Sequence, residues 1–321
     1  MTLLLTSPRF LDHDTGRHPE RAERLIQVTR HLDRQGLAEK CARPSWKPLP
    51  VEKLGTIHDT AYAAEVAEFA RAGGGRIEAD TLVSPDSYDV ALYAAGAACE
   101  ATRRVVGGQA RNALCLVRPP GHHALRDSVM GFCLFNNVAL AAATATGELD
   151  VERVLIVDWD VHHGNGTQDA FWTDPQVGFL SIHRWPFYPG SGRDDETGSG
   201  PGLGTIFNLP TEMGTSRSAY LDHFRAGLEE LAERMKPQLI LISAGFDAHR
   251  DDPVGSLGLE VEDFEVLSNL VLDLAEDCCG GRVVSVLEGG YNPGILAACV
   301  ETHLECLLAR DTTQPEASDS P

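Results

Sequence analysis

Acidic residues alternate with a histidine in one short stretch, which makes it the first candidate for chemistry. The sequence there reads DWDVH from Asp158 to His162. In extended backbone, side chains two residues apart face the same way, so we expect Asp158, Asp160 and His162 to point to one side. With Asp247, which follows another apolar run, Asp160 and His162 would give three protein ligands and one open position, typical of a catalytic zinc site. A salt-linked cluster without metal is the alternative, but charges at the end of a buried strand are costly unless paired or metal-bound.

Two histidine pairs and one tyrosine could supply proton-transfer groups. His122 and His123 follow an Arg-Pro-Pro-Gly turn, and paired histidines can serve as general base and general acid. In the second pair, His162 should face the carboxylates, so we expect its neighbour His163 to face away and pack. Tyr291 follows two glycines. A tyrosine in that position is usually a packed aromatic, but beside a metal site its phenol could reach a polarised carbonyl.

These side chains share one position relative to the predicted strands. Short apolar runs that are apolar on both faces are typical of parallel strands covered on both sides. Five such runs occupy residues 113–117, 154–157, 177–182, 239–242 and 283–287. They are followed, in order, by residues 118–123, residues 158–166, His183, residues 243–247 and residues 288–291. Ligands bind beyond the carboxyl ends of parallel strands, so five strand ends would deliver these groups to one edge of one sheet.

Helical periodicity separates the apolar runs. Apolar residues at three- and four-residue spacing predict helices over residues 60–71, 215–236 and 260–279. A fourth helix should have Ser84 as its N-cap and Pro85 as its first residue, and should end at Gly107. Alternating helices and doubly buried strands indicate an α/β protein with a doubly wound parallel sheet.

Composition excludes several classes of protein. The chain has 321 residues, of which 43% are apolar and 23% are charged, values that exclude a disordered, fibrous or membrane-bundle protein. No apolar run reaches the roughly 18 residues of a spanning helix, and the first ten residues lack the basic flank of a signal peptide, so we expect a cytoplasmic protein. No linker divides the chain, so we expect one catalytic domain over residues 1–310 and a disordered tail over residues 311–321.

The excess of acidic residues limits which molecules the protein can bind. Lys and Arg number 27 and Asp and Glu 47, so the formal charge is 27 − 47 = −20. Such a surface repels nucleic acid and acidic lipid, so we expect neither a nucleic-acid nor a membrane partner, whereas cationic ligands are favoured. A surface that only keeps the protein soluble is the alternative. The eight cysteines are scattered without a Cys-x-x-Cys pair, which excludes a disulfide framework and a cysteine zinc site.

Taken together, the motifs resemble the zinc-dependent histone deacetylase superfamily. The likeness is strongest to class II histone deacetylases and the bacterial histone deacetylase-like amidohydrolases, and it covers about residues 10 to 300. It is carried by HDTGRHPERAERL (13–25), RPPGHHA (118–124), GFCLFNNVALAA (131–142), DWDVHHGNGTQDAF (158–171), SIHRWPFYPGSG (181–192), SAGFDAHRDDPVG (243–255) and LEGGYN (287–292). The resemblance implies the arginase/deacetylase fold, with a single eight-stranded parallel sheet and helices on both faces.

The resemblance also implies roles for individual residues. The ligands of one catalytic zinc fall on Asp160, His162 and Asp247. The histidine pair falls on His122 and His123, and the transition-state tyrosine on Tyr291. Asp158 matches the carboxylate that hydrogen-bonds the first histidine, and Asn165 matches the class II partner of the second. In hydrolysis of an N-acetyl amide, the histidines would act as base and acid while the tyrosine donates to the developing oxyanion.

Further sites follow from the same resemblance. One structural potassium ion would use the side chains of Asp158 and Ser181 and backbone oxygens of Asp160, His162 and Ile182. A second would use backbone oxygens of residues 171, 174 and 177. The substrate-binding residues fall on Gly131, Phe132, Tyr188, Gly289 and Gly290. Tyr188 departs from the phenylalanine that many members have, which changes the polarity of the rim.

The sequence leaves two classes of substrate possible, acetyl-lysine and acetylpolyamine. The resemblance favours acetyl-lysine in proteins or peptides, with an acetylpolyamine as the alternative. The acidic surface favours the polycation. Val254 argues against it, because a polyamine-selective relative has an acidic residue there.

Two other classes of protein share parts of this pattern. A ureohydrolase of the arginase type would hold two manganese ions and needs further Asp and His ligands that the sequence does not show. A non-catalytic acyl-lysine reader would have lost Tyr291 or a metal ligand, and all are present. Iron or cobalt could replace zinc in the same ligand set. A homo-oligomer is compatible with the sequence.

Overall fold

The computed structural model describes residues 1–312; the expected tail therefore lies outside the described residues from residue 313 onwards. The strands are β1 (Thr2–Leu5), β2 (Gly75–Arg76), β3 (Leu82–Val83), β4 (Asn112–Cys115), β5 (Val154–Asp158), β6 (Val177–Arg184), β7 (Ile206–Thr211), β8 (Leu239–Ala244) and β9 (Val283–Leu287). The α-helices are α1 (Glu23–Arg34), α2 (Val51–Leu54), α3 (Thr60–Arg71), α4 (Ser87–Val106), α5 (Asn137–Glu148), α6 (Asn165–Ala170), α7 (Arg217–Met235), α8 (Val261–Cys279) and α9 (Pro293–Ala309).

Seven strands form one parallel sheet in the order β1-β4-β9-β8-β5-β6-β7. The expectation of eight strands is therefore wrong by one within residues 1–312. The short strands β2 and β3 pair antiparallel with each other and stay outside this sheet. Strand β7 forms one edge, and its Pro210 has no N–H to offer a further strand.

Helices cover both faces of the sheet. On one face α4 packs against α5, and on the other α7, α8 and α9 form a row, with α1 outside α9. Side chains that alternate along β4 contact helices on opposite faces of the sheet. The Asn112 side chain donates to the Leu307 carbonyl of α9, whereas the Cys115 thiol faces the Ala97 carbonyl of α4. Because both faces are covered, every residue of β5, β8 and β9 is buried, as the uninterrupted apolar runs predict.

Most helix predictions are confirmed, with one correction. The predicted helix over residues 60–71 matches α3, and those over 215–236 and 260–279 match α7 and α8 to within two residues. Helix α4, however, begins at Ser87 rather than Pro85. Ser84 and Ser87 form a turn, in which the Ser84 N–H donates to the Ser87 hydroxyl (2.7 Å), so the proline lies before the helix. All eight cysteines are free thiols, and six are buried.

The two ends of the described chain meet. Arg310–Thr312 forms a short 3-10 helix, so the first two residues of the expected tail belong to regular structure. The Asp311 carboxylate lies 2.7 Å from the Met1 amine and accepts from the Thr2 hydroxyl (2.8 Å). No helix among residues 1–312 is long and apolar enough to cross a membrane.

Candidate active site

The predicted catalytic and metal-binding residues converge at the carboxyl edge of four neighbouring strands. The segment after β4 carries His122 and His123, and the segment after β9 carries Tyr291. On the other side of β9 in the sheet, Asp247 follows β8, and Asp160 and His162 follow β5. Residues that lie far apart in the chain therefore meet, because their strands are adjacent.

Asp160, His162 and Asp247 form a buried triad whose ligand atoms all lie within 4.8 Å of one another. His162 Nδ1 is 3.0 Å from Asp160 Oδ1 and 3.1 Å from Asp247 Oδ2. Asp247 Oδ2 is buried and has no hydrogen-bond donor. One ring nitrogen can carry only one proton, so two carboxylates converging on it fit a shared cation. The residues present therefore fit a divalent metal with nitrogen and oxygen ligands.

Backbone groups hold the carboxylates of the triad in place. Asp247 Oδ1 accepts from the Val161 N–H (2.9 Å), and Asp160 Oδ2 accepts from the Gly289 N–H (2.8 Å). A Cβ on Gly289 would lie 2.3 Å from Asp247 Oδ2 and 2.5 Å from Asp160 Oδ2. Only glycine fits at that position, because its backbone presses directly against both ligands.

The two adjacent histidines have different partners. His122 Nδ1 faces the Asp158 carboxylate at 2.9 Å, and His123 Nδ1 faces the Asn165 amide oxygen at 2.7 Å. Burial alone would lower the pKa of His122, but the carboxylates of Asp158 and Asp160 raise that pKa to about 10. Burial and the His122 and His162 rings lower the pKa of His123 well below its ordinary value. One ring is therefore suited to carry charge and the other to remain neutral.

Tyr291 is held through its backbone and its ring. Its N–H donates to Asp252 Oδ2 (2.6 Å). The ring lies beneath the Arg24 guanidinium (4.9 Å to the centroid) and meets Phe132 edge-on (5.5 Å between centroids). Burial raises the pKa of the phenol well above its ordinary value, although Arg24 opposes the shift. The phenol is therefore a hydrogen-bond donor over the whole physiological range.

A pocket of about 230 Å³ opens onto these groups. Its lining contains Asp80, His123, Gly131, Phe132, His162, Phe187, Tyr188, Val254 and Tyr291. The Phe187 ring stacks on His162 at 5.3 Å, and the Tyr188 ring meets His123 edge-on, also at 5.3 Å. Gly131 lies so close to His123 that a Cβ would be 2.3 Å from its ring. These walls suit a thin, apolar chain.

Some predicted residues lie away from the pocket surface. Gly289 lies behind the metal triad, and the Gly290 carbonyl accepts from Arg24 Nε (2.6 Å). Neither glycine is part of the pocket lining. His163 faces away from the triad, as expected, and bonds Ser191 and Gln168.

The residues expected at the first potassium site also lie together. Asp158 and Ser181 are register partners on β5 and β6. Ser181 Oγ is 2.9 Å from His183 Nδ1. No backbone N–H in residues 1–312 donates to the carbonyl oxygens of Asp160 or His162.

Four buried charged residues at the site were not predicted from the sequence. Glu288 Oε2 accepts from the backbone N–H groups of Gly121 and His122 (2.6 and 3.2 Å). Glu20 forms ion pairs with both Arg24 and Arg118. All four side chains, those of Glu20, Arg24, Arg118 and Glu288, are completely buried. They stand inside the motifs HPERAER, RPPGHH and LEGGY, so the motifs mark their neighbourhoods, but their contacts depend on the tertiary structure.

Comparison with known proteins agrees with this geometry. Residues 18–307 match the histone deacetylase domain family. The chain belongs to the histone deacetylase family. The matched span contains the whole candidate site, and the histone deacetylase fold is confirmed by a solved structure, the crystal structure of the HDA15 HD domain. That structure superimposes with a TM-score of 0.91 at 34% identity, over 96% of this chain and 88% of the other.

Other histone deacetylase relatives come from distant organisms. A probable deacetylase of Archaeoglobus fulgidus is 35% identical over 98% of this chain and 91% of its own length. The histone deacetylase-like amidohydrolase of Pseudomonas aeruginosa is 38% identical over 88% of this chain and 74% of its own. Human polyamine deacetylase HDAC10 is 40% identical over 95% of this chain, which spans about half (47%) of that protein. By family membership, the chain is a hydrolytic deacetylase.

Proposed function

We propose that this deacetylase is zinc-dependent and hydrolyses the N-acetyl amide of a primary amine. The observation that carries the proposal is the buried triad of Asp160, His162 and Asp247, whose acceptor atoms converge without a donor for Asp247 Oδ2. The triad lies at the base of an aromatic-walled pocket beside a histidine pair and a tyrosine. When bound, zinc would supply Lewis-acid polarisation of the acetyl carbonyl and of the attacking water.

The histidine pair would move the protons. His123 donates its Nδ1–H to the neutral Asn165 oxygen, which leaves its other ring nitrogen free to take a proton from water. His122 faces the Asp158 carboxylate, which favours the charged ring. A free alkylamine has a pKa near 10, so it must leave protonated, and His122 is the acid we assign to that step.

Tyr291 would stabilise the oxyanion. Its phenol stays protonated, and its ring is fixed between Arg24 and Phe132. A donor already oriented at the place where negative charge develops needs no rearrangement during the reaction. We therefore assign Tyr291 as the hydrogen-bond donor to the acetyl oxygen in the transition state.

The proposal includes structural potassium. The backbone oxygens of Asp160 and His162 have no backbone donor and would join the side chains of Asp158 and Ser181 and the Ile182 carbonyl around one ion. Its charge would fix the backbone that also carries the zinc ligands. The second potassium, at the carbonyl oxygens of residues 171, 174 and 177, is proposed on the resemblance alone.

Acetyl-lysine in a protein or peptide is the substrate we propose. Val254 places a neutral side chain in the pocket lining, where a charged one would be needed to select a second amine. The acetylpolyamine is the second candidate, because Asp80 puts a carboxylate on the same lining and a polyamine deacetylase is 40% identical. The eight free thiols suit the reducing cytoplasm, where we propose that the enzyme works as one catalytic domain of residues 1–310.

A paired assay tests both parts of this proposal. The zinc-loaded protein is given an acetyl-lysine peptide and N-acetylputrescine side by side, and kcat/KM is measured with and without a chelator. We expect chelator-sensitive turnover with the peptide preferred. A preference for N-acetylputrescine would overturn the substrate assignment, and turnover that resists the chelator would overturn the metal assignment. Val254→Glu, compared with Val254→Gln, isolates the charge at that position and should shift the preference towards the polyamine.

A further inference from the structure

We propose that Asp252 is a positioning residue, which acts through Tyr291 by holding its backbone against the loop that also carries a pocket wall and a metal ligand. This inference rests on the function proposed above, because it deepens the role given there to Tyr291. Asp252 lies outside the metal triad and is not part of the pocket lining. The residue is only 8% exposed.

The Asp252 carboxylate divides its two oxygens between two segments. Oδ2 accepts from the Tyr291 N–H at 2.6 Å. Oδ1 accepts from the Val254 and Gly255 N–H groups at 2.9 and 3.0 Å. One side chain therefore joins Tyr291, in the segment after β9, to the loop after β8, through three backbone donors. Hydrogen bonds to an ionised acceptor are roughly twice as strong as neutral ones, so this junction is rigid.

The same loop is tied to the rest of the site. The Ser256 N–H donates to the Asp247 carbonyl (2.7 Å), and a Cβ on Gly255 would lie 2.4 Å from that carbonyl oxygen. Arg184 donates to the carbonyl of Gly255 (3.2 Å) and lies over the Phe187 ring. Asp252 thus fixes Tyr291 relative to a metal ligand and to the pocket wall at once.

Tyr291 needs such an anchor because its phenol has no hydrogen-bond partner among the described residues. The ring contacts with Arg24 and Phe132 restrict its tilt. The backbone before it is held at Gly289 and at the Gly290 carbonyl. Within residues 1–312, the only backbone hydrogen bond at Tyr291 itself that involves a site loop is the one to Asp252. Loss of the backbone anchor would let the phenol drift, and a misplacement of about 1 Å can cost about a hundredfold in rate.

Asp252→Asn is the sharpest variant. The amide keeps one acceptor oxygen and gains an NH2 group of almost the same shape. The oxygen should turn to the two donors of Val254 and Gly255, which leaves the NH2 group facing the Tyr291 N–H. The pocket wall is then retained, and the anchor of Tyr291 is lost.

A kinetic cycle tests this with four zinc-loaded proteins: wild type, Asp252→Asn, Tyr291→Phe and the double variant. We expect kcat on the acetyl-lysine peptide to fall about tenfold or more in Asp252→Asn, with KM changed less than about threefold. In the Tyr291→Phe background the same change should cost less than about twofold, because residues that act as a unit are not additive. An equal loss in both backgrounds would overturn the proposal.

Two further readouts do not depend on activity. Zinc affinity, measured by competition with a chelator, should be unchanged in Asp252→Asn, and hydrogen exchange of the Tyr291 amide in the metal-free protein should speed up. A large loss of zinc affinity, or unchanged exchange, would contradict the inference. Asp252→Ser provides a second variant if the asparagine protein does not fold, and the same pattern is expected of it.

Asp263→Asn is the matched control. Asp263 is also a buried carboxylate that accepts a backbone N–H, that of Glu260 at the start of α8 (2.8 Å), but its other partner is Arg217 (2.5 Å) and not Tyr291. Its variant should lose stability and keep kcat. Near-normal turnover by Tyr291→Phe alone would contradict the role assigned to Tyr291 under the proposed function. If Tyr291→Phe loses most of its kcat and Asp252→Asn lowers the remainder by the same factor as in the wild type, only the role of Asp252 is contradicted.

Discussion

The two adjacent histidines of the site, His122 and His123, have different hydrogen-bond partners. The His122 and His123 rings lie 4.0 Å apart and are both buried, yet one faces a carboxylate and the other an amide oxygen. Against the effect of burial, the Asp158 and Asp160 carboxylates raise the pKa of His122, whereas burial and the His122 and His162 rings lower the pKa of His123. Separated pKa values of this kind often mark an acid and a base. The proposed division of roles therefore depends on the carboxylates beside His122 and on the burial of His123 next to two other histidine rings.

Replacement of one hydroxyl tests the oxyanion assignment. Tyr291→Phe keeps the ring between Arg24 and Phe132 and removes only the donor. We expect kcat to fall about a hundredfold or more, because an oxyanion donor is worth about 3–4 kcal/mol, while zinc affinity stays normal. Steady-state kinetics and a zinc titration measure the two quantities. A phenylalanine variant with near-wild-type kcat would exclude the phenol from the reaction.

Among individual residues, alternation and motif spacing predicted that Asp160, His162 and Asp247 lie together, beside the histidine pair. The DWDVH stretch fixes which side chains share a side, and two strand ends bring in Asp247 and the histidines. The partner groups could not be predicted in the same way. Asp252 and Glu288 act on backbone N–H groups of distant segments, and no local pattern encodes which loop a carboxylate will meet.

Helix α4 shows how an element is positioned by close backbone contact. Gly96 lies at the middle of this helix, and a Cβ there would lie 2.2 Å from the Lys47 carbonyl oxygen. The segment before α2 therefore crosses the helix directly over a glycine. Gly96→Ala should lower the free energy of unfolding by about 1–3 kcal/mol through overpacking, measured by denaturant titration.

Gly147 supplies the matched control for that prediction. It lies near the end of α5, and a Cβ there would have nothing within 4 Å. Gly147→Ala should therefore stabilise the protein by about 0.5–1 kcal/mol, because alanine is the better helix former. Equal effects of the two substitutions would show that backbone contact at Gly96 does not matter.

A buried histidine joins three elements and makes stability depend on pH. His303 of α9 lies between the hydroxyls of Ser268 in α8 and Ser285 in β9 (2.7 and 2.9 Å), against the rings of Trp159 and Phe246. Burial lowers its pKa to about 3. In the unfolded chain the ring binds a proton near pH 6.5, so its contribution to stability is present above that pH and is lost as the pH falls towards 3.

His303→Gln tests this dependence. The amide can bond both serines and does not titrate. Between pH 6.5 and 4 the wild type should lose up to about 1.4 kcal/mol more per pH unit than the variant, as measured by urea unfolding. Parallel pH curves for the two proteins would mean that His303 does not titrate on unfolding.

Helices and strands were predicted best where the hydropathy pattern was uninterrupted over the whole element. The run VVSVL coincides with β9, and the run of residues 60–71 with α3. Strands β1 and β7 were not predicted. Strand β1 has four residues at the start of the chain, and β7 carries a proline and two half-exposed positions, so neither forms an uninterrupted apolar run between helices. The partial exposure of β7 weakens its hydropathy signal, whereas β1 is completely buried and was missed because its apolar run is short.

The net charge of −20 acts on the molecule as a whole. It should raise the local concentration of a cationic substrate and leave a neutral one unaffected. We expect kcat/KM for N-acetylputrescine to fall as ionic strength rises from about 20 to 200 mM, since the Debye length shrinks over that range. A neutral acetyl-lysine peptide serves as the control and should show little change. If both substrates respond alike, the surface charge does not steer substrate.

The order of strands has a consequence for synthesis on the ribosome. The last strand made, β9, lies between β4 and β8, so it is the only link between the pair β1-β4 and the group β8-β5-β6-β7 among residues 1–312. Until β9 emerges, a nascent chain holds two partial sheets with unpaired backbone along β4 and β8, the kind of edge that recruits other chains. Tyr291 follows that strand in the chain, so with the role proposed for its phenol we expect activity only after the sheet is closed. A chain that terminates before β9 is expected to aggregate rather than to form an enzyme of reduced activity.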